Sequence, residues 1–423
     1  MAPSFAVHAR RGAAALATAA VLSAAVAPAA FADGSPSPAT APGLYGKKDP
    51  QFDGVFRQSL ALLAQKATDV APPKQAIDWL AGQQCADGGF AAYRADTAKA
   101  CDPKAGEFTD QTALAVQGLA ATGGHGDAVK KGLGWLKAHQ NEDGGWGMGP
   151  GSPSDPNSTS TAIGAYAATG QDPAKVTAKG GKNPYDALIG FQLGCDQKED
   201  ERGVFAYPDQ KGKLTPNDLA TTAAALAALG KGYLVAPAKG GDMPVKPLEC
   251  DDESAKPKDA PSAGAAAAAY LAAKIEANGG FLRTSMPGTA EGPDAGLTTD
   301  AALSLAAGGH LAAADKPLKW LHAETNGTAD WAKGDPGRLS KLVLAVHAAG
   351  ANPRDFAGVD LVQQLTATGP KAEASPSSTE TKDEKKKKKD DDTIGIWWIV
   401  GIFFVASVGV GFLISGRNKK QQL

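Results

Sequence analysis

Three aspartates stand near the starts of apolar, alanine-rich segments: Asp110, Asp218 and Asp300. Two carboxyl groups that face one cleft are what a glycoside hydrolase needs to cleave a sugar bond. An aspartate near a helix start is also favoured by capping and by the helix dipole. The pattern therefore predicts helix caps first, and leaves a catalytic carboxyl pair as the alternative.

A second candidate set combines polar side chains at these segment starts with aromatic side chains in the loops that lead to them. A concave apolar surface with a few converging polar groups is the usual form of a small-molecule site. The predicted ligand-binding residues are Arg57, Gln58, Asp110, Gln111, Ser160, Asn217, Asp218, Thr299 and Asp300, with Phe90, Trp146, Phe205 and Phe281. The aromatic rings could instead serve only to pin neighbouring helical units together.

The four cysteines favour disulfides over a metal site. No histidine lies near them and no CxxC motif occurs, so the ligand pattern of a zinc site is missing. We therefore predict no metal and no cofactor. Four cysteines allow three pairings. Proximity along the chain favours Cys85 with Cys101 and Cys195 with Cys250.

The segments that carry these residues repeat. One type ends in glutamine and is followed by an acidic-glycine-aromatic loop, as in Gln84 with residues 87–90 and Gln140 with residues 143–146. The other type opens with polar residues, runs apolar and stops at glycine. Six of each alternate. The nearly all-apolar segments should form an inner layer because they would be buried on every side. We predict an all-α fold, an α6/α6 toroid of six helical hairpins, over residues 51–368.

These Gln and Asp-Gly-Gly-Trp/Phe repeats resemble those of the prenyltransferase/squalene-cyclase toroid superfamily, over most of residues 52–365. The resemblance implies the fold but does not choose among that superfamily's activities. Its cyclases use an Asp-x-Asp-Asp acid cluster, of which only Asp110 remains here. Its prenyltransferases need a zinc-binding Asp, Cys and His, and its thioester domains need Gly-Cys-Gly-Glu-Gln. Neither pattern is present.

The six-hairpin, disulfide-bearing form is similar to the helical domain of cobalamin carriers. That similarity implies a corrinoid or another bulky ligand, handed to a membrane importer. The chain lacks a small β-rich second domain that completes the carriers' grip. The ligand therefore stays open at this point.

Both ends of the chain carry targeting patterns. Residues 1–32 have the basic start, apolar run and small-x-small end of a signal peptide, and a Pro/Ser-rich linker occupies 33–50. Residues 369–393 form a charged stalk whose composition is typical of disorder. Residues 394–414 are uncharged and span roughly 30 Å as a helix, enough for one transmembrane segment. The basic residues within 415–423 predict a cytoplasmic tail and an extracellular ectodomain.

The near balance of 43 Lys+Arg against 45 Asp+Glu, without a basic patch, argues against nucleic acid as a partner. The sequence thus predicts a membrane-anchored, non-catalytic toroid that captures a small molecule or a partner at the bacterial cell surface. The alternatives are a glycan-active hydrolase of the α6/α6-barrel type and a structural surface scaffold.

Overall fold

The computed structural model describes residues 42–371, apart from 103, 105, 210, 253–254 and 285–290. The predicted signal peptide, membrane helix and cytoplasmic tail lie outside this range, as do half of the linker and nearly all of the stalk. In the described part of the chain, no helix combines the length and the apolar composition that crossing a membrane requires.

Nearly all of the regular secondary structure of the described residues is helical, which confirms the all-α prediction. Six helices alternate along the chain with six that return beside them. The first set is α1 (Gly54–Ala67), α3 (Thr109–Thr122), α5 (Pro156–Ala168), α7 (Asp218–Ala228), α9 (Ala295–Ala307) and α12 (Pro336–Ala348). The second set is α2 (Lys74–Gly82), α4 (Gly126–Ala138), α6 (Pro184–Gly190), α8 (Ala260–Ala277), α10 (Leu311–His322) and α13 (Leu361–Thr368). A short helix α11 (Thr328–Ala332) and an antiparallel hairpin of β1 (Ala206–Pro208) and β2 (Leu214–Pro216) complete the fold.

The first set forms a closed ring. Helices α1, α3, α5, α7, α9 and α12 each pack against the next, and α12 packs against α1. Twelve of the fourteen residues of α1 are buried, whereas only Ala76 and Leu80 are buried among the nine of α2. Helices buried on every side therefore form the inner layer, and helices with one apolar face lie outside, as the composition predicted.

The repeated glutamines hold the hairpins together. Gln84 Nε2 donates hydrogen bonds to the carbonyl oxygens of Gly88 and Ala128, at 3.0 and 2.8 Å. Gln140 Nε2 makes the same pair of bonds, to Gly144 and Val176, at 2.8 and 2.9 Å. In each case one acceptor lies in the glycine loop. The other lies in the first turn of α4 for Gln84, and in the segment between α5 and α6 for Gln140. The glutamine thus gives the loop carbonyl a donor and links the loop to the next hairpin.

Gln192 offers a test of this role because it is fully buried. Its Nε2 donates to the carbonyls of Gly203 and Ala263, at 2.8 and 2.9 Å. Gln192→Leu is expected to lower the free energy of unfolding by about 2 kcal/mol, since it removes both hydrogen bonds and deprives the buried Gly203 carbonyl of this donor. Urea denaturation measures the change. Gln171→Leu, at an exposed glutamine, is the control and should leave the midpoint nearly unchanged; equal effects of the two would contradict the assignment.

Glycines in the repeat loops are required by close approach of the next hairpin. Gly88 has a φ of +108°, and a Cβ there would lie 2.3 Å from the Lys131 carbonyl oxygen. Gly144 has a φ of +91°, and a Cβ there would lie 2.3 Å from the Asn183 carbonyl oxygen. Only glycine combines this backbone conformation with so little space. The Asp-Gly-Gly motif is therefore a packing device.

One end of the ring is covered by an irregular segment, residues 230–245, which we call the closing segment. It crosses the carboxyl ends of the inner helices. Tyr233 N–H donates to Gln117 Oε1 at 3.0 Å, and Lys231 Nζ donates to the Ala307 carbonyl at 2.6 Å. Backbone bonds from Ala238 and Met243 reach the ends of α12 and α9. The interior is therefore approached from the other end, where the inner helices begin, which we call the mouth.

Two disulfides join Cys85 to Cys101 and Cys195 to Cys250, and they confirm the predicted pairing. The Glu107 carboxylate lies within 4.8 Å of both sulfurs of the first bridge. Since those sulfurs bond each other, they are not available as thiolate ligands in this state. Both bridges staple irregular segments on the outside of the ring.

Candidate functional site

A cavity of about 150 Å³ lies inside the ring, on the mouth side of the closing segment. Every inner helix contributes to its wall, mostly through its first two turns. Leu219, one of the lining residues, is 41% exposed, so the cavity communicates with the mouth. The wall consists of Phe56, Asp110, Asn157, Thr161, Leu219, Thr222, Ala223, Leu226, Tyr233, Asp300, Leu303 and Lys341.

An ion pair crosses the wall between α9 and α12. Lys341 Nζ donates to Asp300 Oδ2 at 2.7 Å, with side-chain exposures of 23% and 12%. Burial alone would lower the pKa of Lys341, but the neighbouring Asp300 carboxylate prevails and raises it above its ordinary value. The lysine therefore stays charged, and it is already matched by one carboxylate.

Asp110 is the second carboxyl in the wall. Burial raises its pKa to about 6, and the nearby Asp155 carboxylate acts in the same direction, while a hydrogen bond with Thr161 acts against both. No basic side chain pairs with it among the described residues. Asp110 thus titrates close to neutrality and carries an unmatched negative charge above about pH 6.

Three oxygens in the wall are buried and have no hydrogen-bond partner within the described chain: Asp110 Oδ1, Asn157 Oδ1 and Asp300 Oδ1. A buried acceptor without a donor costs about 1–3 kcal/mol, so native proteins rarely keep one without a reason. The residues that carry these three oxygens line one cavity, which makes the cavity a candidate site for a molecule that supplies hydrogen-bond donors.

Tyr233 forms the floor. It rises from the closing segment, and burial raises its pKa to about 12, with the charges of Lys341, Asp300 and Asp110 as smaller influences. Its phenol is therefore neutral at physiological pH. The rest of the wall is apolar, from Phe56, Leu219, Leu226 and Leu303.

Only Asp110 and Asp300 of the predicted ligand-binding set reach this wall. Arg57 and Gln58 are buried and serve the N-terminal segment instead. The Arg57 guanidinium binds Asp53 and the carbonyls of Tyr45, Lys48 and Asp49. Gln58 binds the backbone of Tyr45, Gly43 and Ala76.

The other polar members act within their own helices or outside the ring. Ser160 and Thr299 donate to carbonyls one turn earlier, each at 2.6 Å. Asn217 caps α7, and Asp218 accepts a 2.8 Å hydrogen bond from the Tyr270 hydroxyl on α8. Gln111 is half-buried and does not line the cavity wall.

The aromatic residues predicted to bind a ligand instead hold neighbouring hairpins together. Phe90, Trp146 and Phe205 are fully buried. Their backbone N–H groups donate to Thr112, Thr159 and Thr221 on the next inner helix, at 2.9, 3.1 and 3.0 Å. In the fourth copy the equivalent bond, to Thr298, is made by Leu282. That copy is offset by one residue, so the half-buried Phe281 packs on Trp320 with ring centroids 5.2 Å apart.

Sequence reasoning missed Phe56, Asn157, Tyr233 and Lys341. Lys341 holds the same position in α12 that Asp300 holds in α9, the sixth residue of each helix. Matching positions on neighbouring ring helices could have suggested the pair. Tyr233 carried no comparable signal, because the closing segment has no periodic pattern.

No protein-family model matches the chain, and no match was found among curated protein sequences. Among solved structures, the ent-copalyl diphosphate synthase from Streptomyces platensis is similar at 16% identity and a TM-score of 0.44, over 70% of this chain and 50% of that one. This chain thus matches about half the length of the synthase. A protein from Actinoplanes is similar at 15% identity and a TM-score of 0.44, over 73% of this chain and 93% of that one. Neither likeness carries an argument about function.

Proposed function

We propose that this protein captures a small molecule in the cavity of its helical ring, at the cell surface, held there by the predicted membrane helix 394–414. The observation that supports capture is the set of three unpartnered buried oxygens in a wall that is otherwise largely apolar. This is the form of a small-molecule site, with apolar surface for affinity and a few polar groups for orientation.

The volume of the cavity limits the size of the ligand. A volume of about 150 Å³ is comparable to an engineered protein cavity that binds benzene, and smaller than the roughly 300–1,000 Å³ of pockets that enclose drug-sized ligands. It favours a compact ligand over a corrinoid. Delivery to a membrane importer remains part of the proposal as the step that would follow capture.

The path of the chain fits a tethered mouth. Gly46 N–H donates to the Thr368 carbonyl at 2.9 Å, and a Cβ on Gly46 would lie 2.9 Å from Pro336, the first residue of α12. The last helix therefore ends at the mouth.

The alternatives receive less support. A hydrolase needs two free carboxyl groups, and Asp300 is bound to Lys341 whereas Asp110 has no partner for one oxygen. A ring that served only as a scaffold would gain stability by filling its interior, since unpartnered acceptors and empty volume are both destabilising. Ligand capture explains both the unpartnered acceptors and the empty volume.

A thermal-shift screen of the full chain in lipid nanodiscs tests the proposal. The library contains small amines, alcohols, carboxylates and envelope sugars, with a corrinoid as the bulky probe. A ligand present at about one hundred times its dissociation constant should add roughly 2.7 kcal/mol to the free energy of unfolding.

The matched variants are Ala223→Leu, which fills the cavity from α7, and Ala273→Leu, at an exposed position on α8. We expect Ala223→Leu to abolish the stabilisation by any hit and Ala273→Leu to retain it. A hit that is unaffected by Ala223→Leu binds elsewhere and contradicts capture in the ring. A screen without hits contradicts small-molecule capture altogether.

A further inference from the structure

The cavity wall offers more acceptors than donors. Two of its hydroxyl groups have partners: Thr161 is within hydrogen-bond reach of the Asn157 carbonyl, at 2.9 Å, and of Asp110, and Thr222 donates to the Leu219 carbonyl at 2.9 Å. The neutral Tyr233 phenol adds one donor at the floor. The Lys341 ammonium is engaged with Asp300 at 2.7 Å. The unpartnered oxygens of Asp110, Asn157 and Asp300 therefore need donors from a molecule that enters.

The charge of the wall is negative. Asp300 and Lys341 offset each other, which leaves the Asp110 carboxylate unmatched. The parallel inner helices point their positive ends at the mouth and would oppose a cation there. Side chains cap four of those ends: Asp155 on α5, Asn217 on α7, Asp294 on α9 and Asp335 on α12. Three of these caps are carboxylates, so they largely neutralise the positive dipole charge at those helix ends.

We propose that the ligand of the ring cavity is a primary ammonium compound with a compact, branched or cyclic apolar body. A primary ammonium has three N–H donors and no acceptor, which matches three unpartnered acceptor oxygens. Its charge would be balanced by Asp110, and its apolar body would contact Phe56, Leu219 and Leu303. This inference rests on the proposed capture function and specifies the chemistry of the captured molecule.

The groups around Asp110 predict how binding depends on pH. Asp155 precedes α5, Tyr207 lies on β1, and Tyr233 rises from the closing segment; all three interact electrostatically with Asp110. Burial raises the pKa of Tyr207 and of Tyr233 to about 12 each, so neither phenol titrates near neutrality. Ammonium binding should therefore weaken as the pH falls through about 6, where Asp110 takes up its proton.

Three probes of equal size separate charge from hydrogen bonding: isobutylammonium, tetramethylammonium and isobutanol. The first has the charge and three N–H donors, the second has the charge alone, and the third has one donor and no charge. Isothermal titration of the full chain in nanodiscs at about pH 7.5 should show isobutylammonium binding at least about tenfold more tightly than either of the others. At about pH 5, below the pKa of Asp110, most of this preference should disappear.

Asp110→Asn should remove the preference for isobutylammonium over isobutanol, while isobutanol still binds. Asp127→Asn is the matched control, because Asp127 is also the second residue of its helix, α4, but is exposed. Equal affinity for all three probes, or a preference over isobutanol that survives Asp110→Asn, would overturn the ammonium assignment.

The capture function fails separately from this assignment. If isobutanol or another library member binds in a way that Ala223→Leu abolishes, capture stands even when the ammonium preference is absent. If no compound binds, the unpartnered oxygens are satisfied by ordered water only, and both proposals are wrong.

Discussion

Replacing Lys341 by methionine is expected to lower the free energy of unfolding by about 3 kcal/mol at neutral pH. The substitution keeps the length of the side chain and removes the charge that faces Asp300 at 2.7 Å. The Asp300 side chain is only 12% exposed, so its carboxylate would remain buried without a countercharge. Losing one partner of such a pair costs more than the pair itself contributes, because the remaining charge is poorly solvated. Urea denaturation monitored by circular dichroism measures the loss.

Two controls separate this effect from simple loss of a lysine. Lys319 pairs with Asp315 at 2.6 Å, but both side chains are largely exposed, and Lys319→Met should change stability by no more than about 0.5 kcal/mol. The double variant Lys341→Met with Asp300→Leu should recover most of the loss, because no buried charge remains. A double variant as unstable as Lys341→Met alone would show that packing, not charge, causes the effect.

Asp110→Asn is expected to raise the free energy of unfolding at about pH 7.5 by up to about 3 kcal/mol. Burial raises the pKa of Asp110 from 3.8 to about 6, so at neutral pH the folded protein holds a carboxylate that is more costly than in the unfolded chain. Asparagine has nearly the same shape and no charge. The stabilisation would come from removing that cost, not from a new contact.

The pH dependence has a definite sign. Between pH 3.8 and about 6 the folded state binds more protons at Asp110 than the unfolded state does, so this group lowers stability as the pH rises through that window. Below pH 3.8 both states are protonated and the variant should gain nothing from the lost charge. Denaturation of wild type and Asp110→Asn across this range measures the difference, with Asp127→Asn as the exposed control. A stabilisation that is independent of pH would contradict the assigned cause.

The ring was predictable from sequence because its signals are local and repeated. Gln84, Gln140 and Gln192 each precede a loop whose glycine carbonyl accepts from that same glutamine. A contact that spans so few residues leaves a pattern in the chain, and its repetition indicates how many hairpins are present. The pairing of Cys85 with Cys101 followed for the same reason, since the two cysteines are 16 residues apart.

The cavity was less predictable because the direction of the side chain changes by about 100° from one residue of a helix to the next. Asp110 is the second residue of α3 and faces inward, as do Asn157 of α5 and Leu219 of α7 at the same position. Asp218 is the first residue of α7 and instead meets Tyr270 on an outer helix. Helix starts could be placed from the sequence, but not to the single residue that this distinction requires.

Tyr233 illustrates a second limit. The closing segment has no helical period, and its path is set by bonds to Gln117, 116 residues earlier, and to Ala307, 76 residues later. Contacts at that separation leave no signal in a single sequence. Tyr233 could therefore be identified as the floor of the cavity only from the structure.

The hydrogen bond between Gly46 and Thr368 brings the two ends of the folded ring together at one seam, where α12 also meets α1. The ring therefore has no structural beginning. The chain could start at a different hairpin and each hairpin would keep the same neighbours in the ring. A short linker across this seam, with new termini opened at the exposed residues 239–242 of the closing segment, should give a circular permutant with the same ring. The ring geometry, rather than the direction of synthesis, would then define the native state.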